Sequence, residues 1–334
     1  MHGRAMIVLS SALAVVACST TAPVHRDAAS APIDVPVIHH PDQETPDWWF
    51  LAGAAAANAN APKKAHAKNA IVFLGDGMSI TTITAARILE GQRGGESGEE
   101  HRLSFENFPS TALSRTYETD FQTADSAGTM TAIMSGVKTR AGVIGVDQVA
   151  ERGNCASGRG HETVSALELA ALAGQATGVV TTTRITHATP AATYGHIADR
   201  DWEADMEIPP KQRAPDCIDL ARQLVEFPLG GGIDVALGGG RTEFMPADQR
   251  DPEYPTLPGK RLDGRDLIAD WKKMPGAAYV WNANQLAALD AAHTQHLLGL
   301  FEPEHMHFET ERAKDPAGEP SLSEMTRAAL SVLK

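Results

Sequence analysis

Ala70-Ile71-Val72-Phe73-Leu74 is a continuous apolar run, the pattern of a strand buried on both faces. It stops at Gly75-Asp76-Gly77, and a helical stretch follows through Thr84–Leu89. The alternation then repeats. Ala112–Tyr117 predicts a strand, and Ser126–Met134 a helix opened by Asp125-Ser126. Val164–Ala173 carries apolar residues at helical spacing, and Gly178–Thr183 reads as the next strand. Cys217–Phe227 predicts a helix, Ile233–Leu237 a strand closed by Gly238-Gly239-Gly240, and Ser321–Leu333 a final helix. Upstream, Asp47 is placed to cap an Ala-rich helix anchored by Trp48, Trp49 and Phe50 and broken by Pro62. No repeat period is present. Strands alternating with helices predict an α/β fold, a doubly wound, largely parallel sheet with helices on both faces. In such sheets sites gather past the carboxyl ends of the strands.

The first 18 residues stand outside this pattern. Arg4 supplies a positive start, and the apolar stretch Ala5–Ala17 has signal-peptide length, well short of the about 20 residues that span a bilayer. It ends in Val15-Val16-Ala17-Cys18, which resembles a bacterial lipobox with Cys18 as the lipidated residue; a plain signal peptide is the alternative. Either reading predicts export, to the periplasm or the cell surface. Residues 19–45, rich in Ala, Pro, Thr, Asp and Val, read as a flexible tether, and 46–334 as the globular body.

The 334 residues carry a net charge of −13, which makes a nucleic-acid backbone a poor partner. An anionic substrate has to be attracted locally, by metals or a placed arginine. Three cysteines are too few for a disulfide-dense scaffold.

The polar residues at the strand ends carry the candidate chemistry. Asp76, between two glycines, suits a divalent cation, although Gly-Asp-Gly taken alone reads rather as a turn and helix cap. Ser126 stands at a helix start, where free N–H groups and the helix dipole favour an anion; a simple cap by Asp125 or Ser126 is the alternative. Arg184, His187 and Thr189 follow one strand, with Arg200 further on, a set able to hold a metal and clamp a phosphate, or to form an ordinary solvated loop. Gly238–Gly240 reads as a turn rather than a phosphate cradle. His305-Met306-His307 with Glu309 reads as a surface strand rather than a metal patch. No Gly-x-Ser-x-Gly elbow, Walker loop or GxGxxG opening is present.

Taken together, NAIVFLGDGMS (69–79), TYETDFQTADSAGTMTAIMSGVKTRAGVIGVD (116–147), TGVVTTTRITHATPAATYGHIADRDWEAD (177–205) and IDVALGGGR (233–241) resemble the alkaline phosphatase family. So do RLDGRDLIADW (261–271), YVWN (279–282), LLGLFEP (297–303) and PSLSEMTRAAL (320–330). The resemblance implies phosphate monoester hydrolysis through a phosphoserine on Ser126, with two zinc ions and one magnesium. Asp76 would bridge a zinc and the magnesium, Thr189 would ligate magnesium, and Asp125 and His187 would stand behind them. Arg200 would grip two phosphate oxygens. The resemblance also implies a Cys155–Cys217 disulfide, and it sets Glu253, Phe301, Glu302 and Glu319 near the calcium site of animal-type members. Glu319 replaces the usual Asp there and borders an altered stretch. Pro46–Ala61 resembles an arm helix that embraces the partner in family homodimers.

Family members continue well past the position matching Lys334, into a buried strand and an acidic, His-rich block holding most zinc ligands. The expectation is therefore a sheet incomplete on that side. A chain of this length is also expected to hold less than its two zinc ions and to hydrolyse p-nitrophenyl phosphate negligibly. Two alternatives accompany this reading: a non-catalytic surface lipoprotein or partner of a full-length protomer, and a metal-dependent phosphodiesterase or sulfatase. The DSAGT context of Ser126 lacks the C/S-x-P-x-R pattern of sulfatases.

Overall fold

A computed structural model describes residues 44–60 and 67–333. The stretch read as a signal peptide, Cys18, nearly all of the 19–45 stretch read as a tether and the expected helix break at Pro62 lie outside the described residues.

Four strands form one parallel sheet: β1 (Gly178–Arg184), β2 (Val235–Gly239), β3 (Ala277–Val280) and β4 (His296–Leu300), in the order β1-β2-β4-β3. The helices are α1 (Pro46–Asn60), α2 (Ile80–Arg93), α3 (Ser126–Ser135), α4 (Ala166–Leu172), α5 (Ala188–Ala191), α6 (Leu220–Val225), α7 (Leu267–Trp271), α8 (Ala283–Ala287) and α9 (Leu322–Val332). Both sheet faces are covered, because side chains alternate along each strand. Ala236, Leu298 and Leu300 point to a core shared with Leu220, Leu224, Leu267 and Trp271. Val235, Leu237 and Leu297 point the other way, onto Leu286 of α8 and Met325 and Ala329 of α9. The α/β, helix-covered parallel sheet read from the sequence is thus the one observed. Among the described residues no helix is long and apolar enough to cross a membrane.

Two predicted strands are not strands. Ile71, Val72, Phe73 and Leu74 are exposed and belong to no ladder, and Leu113 in the 112–117 run is almost fully exposed. An apolar run permits a strand, but only pairing makes one. The 70–74 run is pinned beside both ends of β1 without bonding along it. Gln175 Nε2 donates to the Lys68 carbonyl at 3.5 Å before β1, and Thr189 reaches Asp76 beyond it.

The glycines after Leu237 admit a neighbouring chain. Gly240 takes φ +91°, and its N–H donates to the carbonyls of Glu302 and Glu304 at 2.9 Å each. A Cβ at Gly239 would collide with the Glu304 carbonyl. These backbone groups are spent on residues 302–304, which supports the turn reading over a phosphate cradle. Residues 305–307 form no strand either: Met306 is buried, and the two flanking histidines go to different clusters.

Cys155 and Cys217 are joined in a disulfide, with Cα atoms 5.9 Å apart and 62 residues between them in sequence. The aromatic start of α1 packs on its own chain: the Trp49 and Tyr117 rings stand 6.4 Å apart, and Lys138 Nζ lies 3.9 Å from the Tyr117 centroid.

Candidate functional site

Ser126 is the first residue of α3, with Asp125 at the N-cap in extended conformation. The Asp125 side chain makes no capping bond. One of its oxygens accepts the Gly142 N–H at 2.7 Å, and the other accepts Arg200 Nη1. A capping role therefore does not account for this carboxylate; orienting Arg200 does. The same Nη1 lies 3.0 Å from Ser126 Oγ, and Nη2 lies 2.9 Å from His187 Nε2. Nucleophile candidate, arginine, carboxylate and imidazole, spread over 75 residues, meet at one helix end.

His187 is the N-cap of α5, and its side chain makes no capping bond. Burial, then the charge of Arg200, pushes its imidazole down to about 4. The ring is therefore neutral at pH 7, and Nε2 accepts from the guanidinium. Two residues on, the Thr189 hydroxyl donates to Asp76 Oδ2 at 2.7 Å. Asp76 caps no helix, since the cap of α2 is Ser79. The short α5, packed against α3, thus joins two groupings: Ser126, Arg200 and Asp125 on one side, Asp76 and Thr189 on the other.

A second tier holds this arrangement. Arg184, at the end of β1, forms a bidentate pair with Glu203 at 2.6 and 2.8 Å, and Glu203 also accepts the Thr186 hydroxyl at 2.6 Å. His305 accepts the Arg184 N–H at 3.0 Å and sets its ring 5.0 Å from that of His187. Glu203 was not among the residues singled out from the sequence, although it lies three residues beyond Arg200. Nor was Glu118, a buried carboxyl against Gly128 of α3 whose two oxygens have no hydrogen-bond partner.

The residues set near a calcium site divide into two overlapping groups. Glu302, His307 and Glu319 form one, and Glu253, Glu302 and Asp315 the other, each with ligand atoms within 4.8 Å. Glu253 is already engaged: Arg241 Nη2 lies 3.2 Å from one oxygen, and the Ala317 N–H donates to the other at 3.0 Å. Burial and the neighbouring carboxylates push Glu302 up to about 9. Phe301 is buried at the end of β4. Glu309 pairs with Arg312 instead of joining either histidine.

A family model described as alkaline phosphatase matches residues 67–334. The chain belongs to the alkaline phosphatase family. It is 48% identical over 274 residues to the tissue-nonspecific alkaline phosphatase isozyme of Mus musculus, covering 80% of this chain and 52% of the relative. It is 44% identical over 295 residues to alkaline phosphatase from Gadus morhua, covering 86% and 61%. The chain thus spans about half the length of the curated relatives it matches. Among solved structures it is similar to Thermus thermophilus alkaline phosphatase, with a TM-score of 0.55 at 29% identity, over 76% of this chain and 43% of that one. The enzyme from the Antarctic bacterium TAB5, at 23% identity and a TM-score of 0.52, shares the fold over 74% and 58%.

Proposed function

We propose that this chain carries the nucleophile and anion-binding side of a phosphate monoester hydrolase. The observation that carries the reading is Arg200 Nη1 at 3.0 Å from Ser126 Oγ, at the N-terminus of the ten-residue helix α3. The first backbone N–H groups of a helix lack intrahelical partners, so they and Arg200 face an anion bound there. Arg200 would hold two non-bridging oxygens of a dianionic ester, kept in orientation by Asp125 and by the neutral His187. Ser126 Oγ then forms a bond to phosphorus while the ester P–O bond breaks and the alcohol departs. Water attacks the resulting phosphoserine, releasing inorganic phosphate and restoring the hydroxyl. The serine hydroxyl proton passes through solvent to the departing alkoxide, and the attacking water supplies the proton that restores the hydroxyl.

Asp76 and Thr189 offer a carboxylate and a hydroxyl already within hydrogen-bond distance, the oxygen donors that magnesium takes. A bound divalent cation supplies charge neutralisation for the alkoxide and the phosphoryl oxygens. Zinc is different, because a catalytic zinc takes about three protein ligands. Asp76 is in no His, Cys, Asp or Glu cluster of that size among the described residues, so no step is assigned to zinc. A further divalent cation, with a structural role, is assigned to the carboxylates around Glu302. Export, lipidation at Cys18 and homodimer formation through α1 belong to the same proposal; the mass of the mature N-terminus and sedimentation test them.

The test uses the purified chain with magnesium and zinc supplied. Acid quenching during incubation with phosphate or p-nitrophenyl phosphate is expected to trap one phosphoryl group on Ser126. Ser126→Ala is expected to abolish it and to lower any turnover by roughly 10³-fold or more. Arg200→Ala is expected to remove the thermal stabilisation that phosphate gives. A phosphoryl group on another residue, or turnover surviving in Ser126→Ala, would overturn the assignment.

A further inference from the structure

The cluster at the end of β4 contains a nitrogen donor that a calcium site does not call for. His307 Nδ1 stands 3.5 Å from Glu302 Oε1 and 3.3 Å from Glu319 Oε1. Two ligands of a single tetrahedral zinc, each bonded at about 2.1 Å, are separated by about 3.4 Å, so one ion fits between these three atoms. The backbone reinforces the placement, since the His307 N–H donates to both Glu319 oxygens at 3.1 and 3.2 Å. Glu302 and Glu319 are each only 3% exposed, yet Glu302 Oε1 has no hydrogen-bond partner. Both oxygens of neighbouring Asp315 are buried and unpartnered as well. Buried acceptors left open in this way are costly unless a proton or a cation satisfies them.

Donor chemistry then selects the cation. Calcium takes six to eight oxygen ligands. Here Glu253, one of the carboxylates expected for calcium, already accepts from Arg241 Nη2 at one oxygen and from the Ala317 N–H at the other. What faces the site is the His307 imidazole with the carboxylates of Glu302, Glu319 and neighbouring Asp315, and the nitrogen donor is what distinguishes a zinc-class ion from calcium. We propose that Glu302, His307 and Glu319 hold a borderline divalent cation of the zinc class in preference to calcium, clamping the end of β4 to the segment that leads into α9. This rests on the assignment of a cation to the carboxylates around Glu302.

The experiment is a calorimetric titration of the metal-stripped chain with zinc chloride or calcium chloride, in an Asp76→Asn, Thr189→Val background that silences the other candidate cation site. One equivalent of zinc is expected to bind at least about tenfold more tightly than calcium. His307→Gln is expected to lose about tenfold or more in zinc affinity while calcium affinity holds, and Glu302→Gln to lose both. Cobalt in place of zinc is expected to give a visible absorption band that His307→Gln removes. His307→Asp, which restores an oxygen donor, is expected to shift the preference toward calcium, whereas a variant that merely unfolds binds neither ion. Calcium binding as tightly as zinc in the parent chain, or His307→Gln leaving zinc affinity unchanged, overturns the zinc-class inference and leaves the cation assignment standing. Failure of both ions to bind in a Glu302-dependent way overturns both.

Discussion

Glu118 lies against α3, the helix that Ser126 opens, 4% exposed, and burial pushes its carboxyl up to about 7. Asp125 and Asp120 add to the rise, while the Asp125 backbone and Lys138 oppose it. The Lys138 ammonium is directed to the carbonyls of Arg115 and Tyr117 instead, so no cation sits on the carboxylate. A folded-state value above the ordinary 4.5 means that the folded chain retains a proton the unfolded chain has lost. Stability is then fully present below about pH 4.5 and declines as the pH rises through about 7. Urea unfolding of Glu118→Gln against the parent is expected to show nearly equal stability at the acid end. At pH 8 the variant is expected to lead by about 1–2 kcal/mol. Identical pH profiles for the two proteins would show that Glu118 does not titrate under α3. Among single residues, Ser126 and Arg200 stand out in the sequence because their neighbours form compact, specific blocks, and the structure brings the two side chains together. The Asp76–Thr189 bond spans 113 positions and the bond from Arg184 to His305 spans 121, separations at which spacing carries no signal.

Elements were legible where their pattern is self-contained. β1, β2, α3 and α9 sit within a few residues of their predicted bounds, because burial on the two sheet faces is written into alternating side chains. Residues 70–74 and 112–117 failed the same reading, since ladder formation depends on partners that a local run does not specify. The glycines at the end of β2 carried a different signal, close approach, and their partner was unknowable until residues 302–306 were placed. A methyl group at Gly239 would meet the Glu304 carbonyl although the backbone there needs no positive φ. Gly239→Ala is therefore expected to cost about 1–3 kcal/mol through overpacking, read as a lower urea midpoint at unchanged slope. It should also disturb the Glu302–His307 cluster, which hangs on the displaced segment. An unshifted midpoint would mean that the 302–306 segment yields freely.

At the scale of the molecule, the disulfide ties the segment after residue 150 to the chain entering α6, closing a loop of 62 residues. Chain-entropy reasoning gives such a crosslink about 4 kcal/mol, an upper figure for the paired Cys155→Ser, Cys217→Ser variant. Chemical denaturation with and without reductant measures it; a loss well under about 1 kcal/mol would assign the fold's stability to its two cores alone. Two fully buried arginines add internal bracing. Arg241 pairs with Asp251 at 2.6 and 2.9 Å, and Arg261 with Asp219 at 2.8 and 3.1 Å. Their family blocks were visible in the sequence, but the blocks do not reveal that these charges are structural.

The one-turn helix α5 has a thermodynamic consequence. Its cap, His187, touches Arg200, proposed to face an anion, and Thr189 on the same turn touches Asp76, proposed to face a cation. If occupancy at either end shifts that turn, the two bindings are linked, and linkage runs both ways. The factor by which magnesium tightens phosphate is then the factor by which phosphate tightens magnesium. Product and metal would each retard the other's departure, and turnover would depend on how quickly this mutual retention relaxes.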